Sequence, residues 1–148
     1  METWLAYGLL AAFLFGVSGL LTKVVGGKDH YAVNSHTLAM LVVIGAFVIF
    51  LVYYLAETKG QFPIPSNNMA VLLGLGVGAT WAIGSVFVYR AFNLGANASQ
   101  ITPIFNLNTL VVVALAILIL HELPDPQQSI KVVAGAILMV VGAFLVSY

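Results

Sequence analysis

The chain has 148 residues, 61% of them hydrophobic and 7% charged. A water-soluble domain is nearer half apolar and a quarter charged, so this chain cannot cover a water-facing surface with polar groups and belongs in a bilayer. Five Lys plus Arg balance five Asp plus Glu, which leaves no basic patch for nucleic acid, and the absence of cysteine excludes disulfide and thiol chemistry.

The chain opens with "METWLAYGLLAAFLFGVSGLLTK", and only Glu2 and the terminal amine precede the apolar run. A secretory signal wants positive charge there, so Trp4 to Thr22 is expected as a retained spanning helix. About 20 apolar residues cross a bilayer, and further segments of that kind are His36 to Ala56, Met69 to Phe92, Ile101 to Leu120 and Ile130 to Ser147. The expected fold is therefore an all-α membrane protein, a bundle of five transmembrane helices in one domain over residues 1–148. Lys23, Lys28, Asp29, Glu57, Lys59, Arg90, Glu122, Asp125 and Lys131 fall at the edges of these runs, where a charge avoids the cost of about 2.5–3.5 kcal/mol it meets at a helix centre. Lys23 and Arg90 are placed to snorkel from helix ends.

The connectors are punctuated as turns. Gly26 and Gly27 break the first, Pro63 and Pro65 bar helix in the second, and Asn67 or Asn68 is available as a cap. The short "NLGANASQ" implies that helices three and four are antiparallel neighbours, and Ser129 is a plausible N-cap for helix five.

Small residues and polar contacts mark helix interfaces in lipid, because the hydrophobic effect does not draw helices together there. Gly8, Ala12, Gly16 and Gly19 form a smooth strip on helix one, beside the aromatic and polar strip of Tyr7, Ala11, Phe15, Ser18 and Thr22. Helix three carries Gly74 and Gly78, and the same face continues through Trp81, Ser85, Tyr89 and Phe92; helix five repeats Gly135 and Gly142. These glycines are expected to serve packing.

Ser99, Thr102, Asn106 and Thr109 recur every three or four residues, which places them on one face of a helix. Pro103 sits inside that face and frees the carbonyl about one turn earlier. Hydrocarbon cannot satisfy such a carbonyl, so neighbouring helices, hydroxyls or cavity water must. Asn106 and Thr102 therefore either bond an adjacent helix or line a solute pathway. The solute-facing candidates are Ser18, Trp81, Ser85, Tyr89, Thr102 and Asn106, with Pro103 as a helix break. Asn108 lies nearly opposite Asn106 and suits a bond to another helix. Glu122 and Asp125 suit solvated or capping positions, and neither His36 nor His121 has a second ligand at metal-like spacing. No metal or cofactor is expected.

The segment "GATWAIGSVFVYRAFNLGANASQITPIFNLNTLVVVALAILILHELPDPQQSIKVVAGAILMVVGAFLVSY" resembles the last three helices of an EamA-type repeat of the drug/metabolite transporter superfamily. The matching features are "YRAF", the small residues Gly95, Ala96 and Ala98 before Ser99 and Pro103, Glu122 at the end of helix four, and Gly135 and Gly142. "LLAAFLFGVSGLLTK" is similar to the repeat's first helix, so the resemblance spans essentially the whole chain. It implies a membrane transporter of small metabolites or drugs. Most members hold two such repeats in inverted orientation around a central cavity, whereas this chain resembles the short five-helix prokaryotic members. The related four-helix multidrug transporters use a membrane-embedded glutamate in helix one; only the edge residue Glu2 is present here, which gives proton antiport by that route no support.

Five spans put the termini on opposite sides of the membrane. Loops one and three carry Lys23, Lys28 and Arg90; loops two and four carry Lys59 and Lys131, with the terminal amine on the same side. Positive charge in short loops orients a membrane protein, and here it is nearly balanced. The expectation is a homodimer of two antiparallel copies with a small-molecule solute and the lipid bilayer as its other partners, and a one-way parallel dimer is the alternative. A non-transporting accessory subunit would share the packing faces. An intramembrane enzyme is disfavoured, because no nucleophile and base share one layer.

Overall fold

The computed structural model describes residues 3–61, 67–121 and 126–147. The expectations placed on Glu2, Pro63, Pro65, Glu122 and Asp125 lie outside the described residues. Among the described residues there are six helices: α1 Thr3–Gly26, α2 Ser35–Thr58, α3 Asn68–Asn93, α4 Ala98–Phe105, α5 Asn108–Ile119 and α6 Pro126–Ser147. Five stretches of the described residues are long and apolar enough to cross a membrane, with α4 and α5 together forming the span Ala98–Ile119. Among the described residues no strand occurs.

Local chemistry accounts for the helix ends. Asn67 takes extended backbone angles, and its side-chain oxygen accepts the Met69 N–H at 2.9 Å, which satisfies one donor that a helix start leaves orphaned. Asn67, not Asn68, is thus the cap. At the end of α2, Lys59 and Gly60 adopt left-handed angles (φ 51° and 81°), a common helix termination. α6 begins at Pro126, where proline is favoured because the first N–H of a helix has no partner anyway. Ser129 is therefore inside the first turn of α6 and is not its N-cap.

The chain divides into two compact units, Met1–Gly95 and Ala96–Tyr148. In the first, α3 packs against both α1 and α2, and α1 meets α2; in the second, α4 packs against α6. Large apolar side chains such as Phe13, Phe47, Leu75 and Leu138 are exposed, the arrangement lipid favours. Burial in the first unit is confined to one end of the bundle. Lys23 and Gly26 in the last turn of α1, Gly27, Leu38 in the first turn of α2, and Tyr89 and Phe92 in the last turn of α3 are all buried.

Candidate functional site

The first cluster of candidate residues belongs to α1 and α3. Trp81 is 53% exposed and Tyr89 only 6%, so this helical face runs from an open position to a buried one. Ser85, half-buried between them, donates its hydroxyl to the Trp81 carbonyl at 2.9 Å. Such back-bonding satisfies a hydroxyl inside an apolar helix and leaves the oxygen's lone pairs for another donor. Ser18 is exposed on α1, and its carbonyl accepts the Thr22 hydroxyl at 2.8 Å.

The second cluster belongs to α4 and α5, and here the expected single helix is interrupted. α4 runs through Pro103 and ends at Phe105; α5 begins at Asn108. The Asn106 N–H still reaches the Thr102 carbonyl at 3.1 Å, but Leu107 donates to Ile104 at 3.1 Å, Thr109 to Asn106 at 3.2 Å and Leu110 to Leu107 at 2.9 Å. Those three bonds reach back three residues, the tighter 3₁₀ pattern. The four-back carbonyls of Pro103 and Phe105 are thereby bypassed by Leu107 and Thr109. The break falls at Asn106–Leu107 and not at the proline, because Asn106, Asn108 and Thr109 are poor helix formers whose side chains compete for nearby backbone groups. At 1.5 Å per residue it lies about 12 Å along a span of about 33 Å. Asn106 is exposed at this break, while Thr102 and Pro103 are half-buried. The three-residue turn stacks Thr109 over Asn106, so the polar face persists through the break.

The six candidate glycines are open. A Cβ added at Gly8, Gly16, Gly74, Gly78, Gly135 or Gly142 would meet nothing within 4 Å among the described residues.

Two features at the buried end of the first unit escaped the reading of the sequence. Lys23 does not snorkel: it is 8% exposed, with its Nζ 5.9 Å from the centroid of the Phe92 ring. Phe92 is completely buried, and the negative face of its ring attracts the ammonium. α1 also runs one turn past Thr22, which carries Lys23 into the packed helix end. The second feature is Asn93, whose Nδ2 donates to the Gly26 carbonyl at 2.6 Å and to the Val33 carbonyl at 3.0 Å. One side chain thus ties the end of α3 to the end of α1 and to the loop before α2. The available signal was topological: with five spans, an amide closing helix three lies at the same membrane boundary as the Gly26–Gly27 break.

No curated protein and no solved structure shows significant similarity to the chain. The family model described as "EamA-like transporter family" matches residues 2–148. With five membrane-spanning helices and that match over nearly its full length, the chain belongs to the EamA-like transporter family and is a multi-pass membrane transporter of small solutes.

Proposed function

We propose that two copies of the chain pair antiparallel in the cell membrane and move a small metabolite or drug-like solute by rocking of one copy against the other. Ser18, Trp81, Ser85, Tyr89, Thr102 and Asn106 line the path. The interruption of the fourth span carries this reading. Non-helical backbone at membrane depth is tolerated only where it is buried in protein or faces a water-filled cavity. Asn106 is exposed in the single chain, and lipid can supply no hydrogen bond to its amide. A second copy, or water held between two copies, meets that need. The open glycine faces of α1, α3 and α6 admit close approach by another helix. The near balance of loop charge permits insertion both ways, as an inverted pair requires.

The test is a thermal-stability screen of the purified protein against a metabolite panel, with tryptophan fluorescence of a Trp4→Phe variant read in parallel. A bound solute raises stability by mass action, and Trp81 emission should shift with it. A panel that stabilises the protein while Trp81 emission stays constant removes the aromatic face from the site. A dimer that no solute stabilises favours the accessory-subunit reading.

A further inference from the structure

The end of α1 is unusually complete in its hydrogen bonding. A helix leaves its last four carbonyls without intrahelical partners, yet here each has one. Lys23 O accepts the Gly27 N–H at 2.8 Å, Val24 O that of Tyr31 at 3.2 Å and Val25 O that of Val33 at 2.9 Å. The fourth, Gly26 O, is taken by the Asn93 side chain. The first three bonds lie within α1 and its own loop. Asn93 supplies the fourth from the end of α3, 67 residues along the chain. Its second bond, to Val33 O, closes on the same loop. Beneath it lie the buried Leu38, Tyr89 and Phe92, with the Leu38 side chain so near Gly26 that an added Cβ would stand 3.0 Å from it. Away from that end no described residue of the same helices is buried, and added Cβ atoms at Gly8, Gly16, Gly19, Gly74, Gly78 and Gly84 would meet nothing within 4 Å.

The unit is therefore shut at one membrane boundary and loose toward the other. We propose that the Asn93 clasp is the gate at the loop-one and loop-three boundary, released when the Asn93 amide lets go of the Gly26 and Val33 carbonyls and the ends of α1 and α3 part. The bonds suit a latch. Both are held by one rotatable amide, and the freed carbonyls lie at the end of α1 and in the loop that follows it, where water can replace the lost donor. The three local bonds keep α1 and its loop folded when the clasp opens, so release separates two helix ends without unwinding either. Asn93 acts through the backbone and is a positioning residue. In an antiparallel pair, the two clasps would lie at opposite membrane surfaces, one for each direction of access.

This inference rests on the transporter reading, and its test requires no solute. The chain has no cysteine, so spin labels can be attached at cysteines replacing the exposed His30 and Leu94. Labelled protein is diluted with unlabelled chain in lipid vesicles, and the distance between the labels is measured by pulsed electron resonance. A gate gives two distance populations. Asn93→Leu should raise the longer over the shorter about eightfold, the effect of losing two average membrane hydrogen bonds. Asn93→Ser, too short to span both carbonyls, should do the same and serves if the leucine variant fails to insert. A single distance, unchanged in either variant, overturns the gate and leaves a fixed structural corner; solute stabilisation persisting in that case would leave the transporter reading intact. Shifted distances in a protein that no solute stabilises would uphold the gate and cast out the solute assignment alone.

Discussion

Gly27→Ala is the substitution whose consequence the structure specifies best. A Cβ built on Gly27 stands 2.6 Å from the Lys23 carbonyl oxygen and 3.0 and 3.2 Å from the Lys23 Cδ and Cε. The side-chain carbons can move aside, but the oxygen is backbone, held by the N–H of Gly27 itself at 2.8 Å. Relief requires the end of α1 to open, at a cost of about 1–3 kcal/mol for overpacking and about 1 kcal/mol for the hydrogen bond. The restricted unfolded chain returns about 0.4–1 kcal/mol. The net loss is about 2 kcal/mol. Gly16→Ala is the control: with nothing within 4 Å, it should gain up to about 1 kcal/mol of helix propensity unless a second copy packs there. Reversible unfolding in mixed detergent micelles, followed by circular dichroism, measures both. A Gly27→Ala protein as stable as the parent would refute the reasoning. A Gly16→Ala loss that shrinks on dilution, as the dimer's contribution fades from both proteins, would locate the dimer contact on that strip.

Asn106→Leu should abolish transport while the protein still inserts and dimerises; loss of dimer and transport together would assign Asn106 to helix packing instead. Reporters fused to the C-terminus should be found in both compartments, and two lysines added to the loop at residues 57–68 should drive the mixture strongly to one orientation. A C-terminus on one side only, in the unaltered protein, would exclude the antiparallel pair.

The spans were legible in the sequence because the bilayer imposes them. Hydrocarbon thickness sets their length, and the cost of a buried charge pushes Lys28, Glu57, Lys59 and Arg90 to their edges. A cap at Asn67 or Asn68 and the residues that resemble the EamA repeat were legible for a related reason, since each is a local pattern; the structure chose Asn67. The polar stretch around Asn106 was visible as well, but its geometry was not. Where a helix with Pro103 and two asparagines breaks depends on which carbonyls find donors, and the local backbone bonds put the break at Asn106–Leu107. Lys23 and Asn93 were decided by tertiary structure alone. A lysine one turn from a helix end is equally able to snorkel or to fold over a ring, and the choice fell to Phe92, which α3 delivers from far along the chain. Asn93 bonds partners 60 and 67 residues away. No periodicity or spacing encodes such a pair, because it exists only once three helices have converged at one boundary.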